Sequence, residues 1–188
     1  MTQMASLAHC LARADWPAAE AILRKAAKAP DADAATLYNL ARVLDITGQT
    51  AEARTWLERA VAKDPAHADA WFELGRSLIA DDLEAAERAF AHSARLRPAA
   101  DCWRYLARLR LRLCDWAGCA EALLHLPKDA ETLTMSYRVA SETGADTKTL
   151  RAQMLDDAST RPDALKALTR VARGSLPLRM PQARNRLR

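Results

Sequence analysis

The stretch ATLYNLARVLDITGQTAEARTWLERAVAKDP, Ala35 to Pro65, decides how this chain folds. Leu37, Leu40, Ala41 and Leu44 fall at i, i+3, i+4 and i+7, which is one face of a helix. Gly48 then breaks the period. Ala53, Leu57 and Ala60 recur at helical spacing, and Pro65 stops the second run. The stretch therefore predicts a helix–turn–helix hairpin of a little over 30 residues. One such hairpin cannot bury its apolar face alone, so a neighbour of the same kind is expected.

Neighbours of the same kind are present. After Pro65, Trp71, Leu74, Gly75 and Leu78 open a unit, Ala86, Phe90 and Ser93 continue it, and Pro98 closes it. Its turn, IADDLEA, is one residue shorter and lacks the glycine. Trp103, Leu106 and Ala107 open the next unit, which ends with Cys119, Leu123, Leu126 and Pro127. A partial copy precedes them all, with Ala19, Leu23 and Ala26 before Pro30. A degenerate copy follows, with Leu133, Tyr137, Ala140 and Gly144, then Leu150 and Met154. The near-duplicates ADWPAAEAILRKA (Ala14–Ala26) and CDWAGCAEALLHL (Cys114–Leu126) are the second helices of the first and fourth units. Small residues at 41, 75 and 107 let paired helices approach closely.

Composition agrees. Half of the 188 residues are apolar, aromatics make up 5%, and there are five Gly. Ala, Leu, Arg and Glu, which lose little on entering a helix, dominate.

The pattern resembles the tetratricopeptide repeat (TPR) family. Trp71-x-x-Leu74-Gly75 and Ala53…Ala60…Pro65 carry the likeness, which spans roughly Ala14 to Leu155. Arg110 stands where that pattern has a large apolar residue, and Ser136 replaces a core leucine. The resemblance implies an all-α fold: a right-handed α-solenoid of about four to five stacked antiparallel hairpins. Asp163 to Arg173, with Leu165, Leu168, Val171 and Ala172 on one face, is expected to add a closing helix. Residues 1–173 are then one repeat domain, and 174–188 a flexible basic tail.

No catalytic constellation is visible: there is no phosphate loop, no H-E-x-x-H and no G-x-S-x-G. The expectation is a non-catalytic chain with no cofactor and no metal. Cys114, Cys119 and His125 lie close in sequence, but the spacing does not suit zinc, and Cys119 fills a slot that holds Ala in other units. The four Cys form no C-x-x-C pair and suggest a reducing, cytoplasmic-type compartment. The N-terminal residues lack a basic region and a long apolar core, so they do not read as a secretory signal, and no apolar run suggests a membrane span. Trp71 and Trp103 fall on core faces; Trp16 and Trp116 are placed to cover joints between units.

The informative residues lie off the core stripe. In register, the first helices carry Tyr38 and Arg42, then Phe72 and Arg76, then Arg104 and Arg108, then Thr134 and Arg138. Arg42 sits about 140° around the helix from Leu37 and Tyr38 about 100°, so both leave the core on one side. The resemblance implies that this side lines a groove that receives extended peptides. An arginine fork suits a carboxylate, so the expected partner is another protein or peptide, acidic or carboxylate-bearing. The competing reading is that these arginines pair with local acids such as Asp45, Asp69, Glu73 and Asp101.

The net charge of +4 arises from the tail: residues 173–188 hold five Arg and no acid, so the remainder sums to −1. No aromatic interleaves those five, and nucleic acid is not the expected partner. Alternatives to an adaptor or chaperone-like scaffold are a regulatory or targeting subunit of an enzyme complex, such as a transferase, or tail-mediated binding to nucleic acid or an anionic membrane.

Overall fold

The computed structural model describes residues 3–156 and 161–162. Among these every regular element is an α-helix. They are α1 (Gln3–Ala12), α2 (Trp16–Ala27), α3 (Ala34–Ile46), α4 (Thr50–Lys63), α5 (Ala68–Leu78), α6 (Leu83–Leu96), α7 (Ala100–Arg112), α8 (Trp116–Leu123), α9 (Ala130–Thr143) and α10 (Lys148–Asp156). The all-α repeat architecture expected from the sequence is the one observed. No repeat pattern is legible before Ala14, yet Gln3–Ala12 forms the first helix of the first hairpin and buries Leu7 and Cys10. The closing helix expected at 163–173 and the tail at 174–188 lie outside the described residues.

The helices begin by a shared device. The side chains of Asp15, Asp33, Asp82, Asp115 and Asp129 each accept a hydrogen bond from the backbone N–H three residues on. Each satisfies one orphan donor of its helix, an effect of about 1 kcal/mol. The hairpin turns are shared too. Gly48 has φ +82°, and Ala14 and Cys114 occupy the same place before the second helix at φ 55° and 59°. The Asp15 N–H donates to Cys10 O at 2.9 Å and the Gln49 N–H to Leu44 O at 2.8 Å, which closes the preceding helix in each case. The shorter turn before α6 uses no left-handed residue and closes through the Asp82 N–H to Leu78 O at 2.8 Å.

Two compact units result, Met1–Leu113 and Cys114–Arg188. In the first, each helix from α1 to α7 packs on the next in sequence. Ala19, Ala53 and Ala86 are buried at matching positions of the second helices, followed by Leu23, Leu57 and Phe90 one turn later. In α2 the stripe ends on buried Ala27, with Ala26 half-exposed. Phe90 is the bulky member of its column, and the glycine opposite makes room for it. A Cβ on Gly75 would lie 2.9 Å from Phe90 Cδ2 and Cε2. Ala41 and Ala107 hold the same slot in the flanking first helices and are also buried. Arg110, off-pattern in sequence, is explained by Glu87: its Nε–H donates to Glu87 Oε1 at 2.9 Å, with the arginine side chain 13% exposed.

The second unit is assembled from α8, α9 and α10, with Cys119, Ala122, Met135, Tyr137 and Met154 buried. Here α8 has only eight residues, against 14 in α4 and α6, because Pro127 arrives early. The shortfall leaves an apolar cleft of about 440 Å³, and Leu124 beside it is 84% exposed. Ser136, which stands for a core leucine, lines that cleft and donates its hydroxyl to Thr132 O at 2.7 Å.

Candidate functional site: the arginine face of the first helices

Six of the eight arginine-face residues belong to the first unit. Tyr38 and Arg42 stand on α3, Phe72 and Arg76 on α5, Arg104 and Arg108 on α7. Arg138 stands on α9 in the second unit, where its guanidinium carbon lies 5.9 Å from the centre of the Trp116 ring. The Arg138 Nε is buried and has no hydrogen-bond partner among the described residues.

Arg42 and Arg76 converge on one carboxylate. Arg42 reaches across from α3 and donates to Glu73 Oε1 on α5, while Arg76 donates to Glu73 Oε2 at 2.7 Å from one turn along the same helix. The Glu73 side chain is 13% exposed, whereas those of Arg42 and Arg76 are 36% and 43% exposed. Burial pulls the Arg76 guanidinium down, but the fields of Glu73, Tyr105 and Asp45 and the bond to Glu73 more than offset it, so its pKa is held above the ordinary value. Beside this triad a cleft of about 360 Å³ opens between α3, α4 and α5. Arg42, Arg54 and Arg76 line it together with Asp45, Glu73 and Asp81, so its charged groups balance. Arg54, on α4, is held by Ser77 O at 2.6 Å and Asp81 Oδ2 at 2.5 Å.

The two aromatics of this face behave differently. The Tyr38 ring lies 4.9 Å from that of His67, and burial pushes its phenol pKa up. Phe72 turns its ring edge-on to Phe90 at 5.4 Å and to Tyr105 at 5.6 Å. Its ring thus works within an aromatic cluster that joins α5, α6 and α7. On α7, Arg104 is half-buried, and the Arg108 guanidinium carbon lies 5.9 Å from the centre of the Tyr105 ring.

Both sequence readings of the arginines therefore meet in one place. The side chains at 42 and 76 share a face, and they pair with Glu73, one of the local acids that the sequence offers. Asp69, another of those acids, pairs with Arg97. A second ionic seam, between α2 and α4, is one that periodicity does not single out. Arg24 on α2 donates to Glu20 Oε1 at 2.8 Å and to Glu52 Oε2 on α4 at 2.7 Å. The Trp56 Nε1–H donates to Glu52 Oε1 at 3.1 Å. These bonds hold the Glu52 carboxyl down to about 2.

Among the described residues no group of three or more His, Cys, Asp or Glu could hold a metal ion. Burial pushes the Cys102 thiol up, against the thiolate form, with the Ser93 hydrogen bond opposing. No helix among the described residues is long and apolar enough to cross a membrane.

The architecture is that of a helical-hairpin repeat protein. Residues 34–77, from the start of α3 nearly to the end of α5, match the model of the tetratricopeptide repeat family. Solved structures share its fold. The crystal structure of MamA is 19% identical, with a TM-score of 0.63, over 85% of this chain and 88% of that one. YrrB, a TPR protein with an unusual peptide-binding site, is 18% identical with a TM-score of 0.65 over 78% of each chain. PilF of Pseudomonas aeruginosa is 16% identical with a TM-score of 0.65, over 87% of this chain and 80% of that one. Among curated protein sequences none gives a significant match.

Proposed function

We propose that this chain is a non-catalytic scaffold that holds an extended acidic stretch of a partner polypeptide against the arginine face of α3, α5 and α7. The fold supports an interaction scaffold in general terms, and YrrB offers a peptide-binding precedent on the same fold. The acidic character of the partner rests on one observation. Arginine recurs at the same register in three successive first helices, at 42, 76 and 108, and the first two already grip a carboxylate together. A partner's acids would add to the donors that Glu73 leaves unspent on Arg42 and Arg76, and to Arg108; three contacts of about 1–2 kcal/mol each place a multi-acid peptide between millimolar and tens of micromolar.

The test is a double charge reversal, Arg76→Glu with Arg108→Glu. A peptide with four glutamates in a glycine–serine background is titrated calorimetrically against wild type and variant. Loss of binding by about thirtyfold or more, with helix content unchanged, is the expected result. Undiminished binding by the double variant would show the arginines to be a solvated face and remove the proposal.

A further inference from the structure

The arginine face already has a ligand of its own. Glu73 supplies a carboxylate to Arg42 and Arg76, it is the least exposed member of the triad, and it belongs to the chain itself. An incoming carboxylate that took both arginines would strip Glu73 of its cations, and an acid only 13% exposed that is left unpaired is strongly unfavourable. Simple exchange of one carboxylate for another therefore yields almost nothing. The alternative is to add beside Glu73. Each guanidinium has five N–H donors, and among the described residues Arg42 and Arg76 each spend one, on Glu73. An added anion then meets a triad of net charge +1 rather than a pair of charge +2.

We infer that Glu73 is the specificity-determining residue of this face. It is an internal carboxylate that screens Arg42 and Arg76, rejects a lone carboxylate and admits only segments in which several acids act together. This rests on the proposed binding of acidic polypeptide to the same residues. Asp45 and Asp81, which share the cleft, reinforce the screen, because the cleft carries no surplus positive charge until one acid is removed. Glu73 thus converts an arginine pair that would hold any carboxylate into one that reads charge density.

The test compares wild type, Glu73→Gln and Glu73→Ala. The probes are two peptides of equal length in a glycine–serine background, one with a single glutamate and one with four. Titration calorimetry is run at low and moderate salt. Wild type should bind the four-glutamate peptide and give no measurable heat with the single-glutamate one. Both variants should tighten the four-glutamate peptide by at least about tenfold, the worth of one additional charge-assisted contact. They should also bring the single-glutamate peptide into range and steepen the salt dependence. Binding by wild type with no gain in either variant, their melting temperatures being unchanged, would overturn the role of Glu73 and leave the groove proposal standing. Failure of all three proteins to bind the four-glutamate peptide would overturn both.

Discussion

Replacing Gly75 by alanine sets two effects of known size against each other. Removing a glycine from a helix interior is worth about 1 kcal/mol in favour of the variant. Against it stands a new methyl carbon 2.9 Å from two ring atoms of Phe90. The ring has little room to retreat: Phe90 is fully buried, stacked on Tyr105 at 4.7 Å with an interplanar angle of 4°, and met edge-on by Phe72 at 5.4 Å. Overpacking of this kind costs about 1–3 kcal/mol, and disturbing the aromatic contacts adds about 0.5–1.5 kcal/mol. The packing cost wins, and Gly75→Ala should destabilise the chain by about 2 kcal/mol. In a chain of this size that is a fall in melting temperature of about 4–8 °C. Urea unfolding followed by circular dichroism measures it. Phe90→Leu in the Gly75→Ala background should recover part of the loss, with a coupling energy above about 0.5 kcal/mol. A Gly75→Ala protein as stable as wild type, or more so, would refute the claim that Phe90 fixes the size of residue 75.

Further outcomes are expected at the turns and at the α2–α4 ionic seam. Cys114→Gly and Ala14→Gly should each stabilise by about 0.5–1 kcal/mol in urea titrations, since both residues hold left-handed backbone that glycine adopts without strain. Gly48→Ala should destabilise by about 1 kcal/mol, purely through the backbone, because no atom of the described residues lies within 4 Å of the added carbon. Glu52, held down to about 2 in the folded state by Arg24 and Trp56, contributes stability above its unfolded value that is lost as pH falls from about 4.5 toward 2. Melting temperatures of Glu52→Gln should therefore fall less steeply across that window than those of wild type.

The repeat itself is legible in the sequence, because each unit must bury the same stripe and so repeats the same spacing. The aspartates that cap the helices and the early proline at 127 are plain in the letters too. Side-chain partners are harder to read. Arg76 and Glu73 are three residues apart on one helix, which a helical wheel shows, but Arg42 and Glu73 lie 31 residues apart and meet only because α3 and α5 present the same side. Tyr38 and Phe72 share a register and diverge in role, since Phe90 and Tyr105 draw Phe72 into their cluster while Tyr38 meets His67 instead. The helix Gln3–Ala12 escapes sequence reading because it lacks the large–Leu–Gly signature and packs chiefly on α2.

Ala14 and Cys114 trace the same bend as Gly48 without being glycine. The bend is therefore imposed by the helices on either side, and its own residue can drift at a modest penalty. The hairpin's course is thus kept where the glycine is missing: residues 34–77, which contain Gly48, match the family model, and solved structures superpose over more than three quarters of the chain.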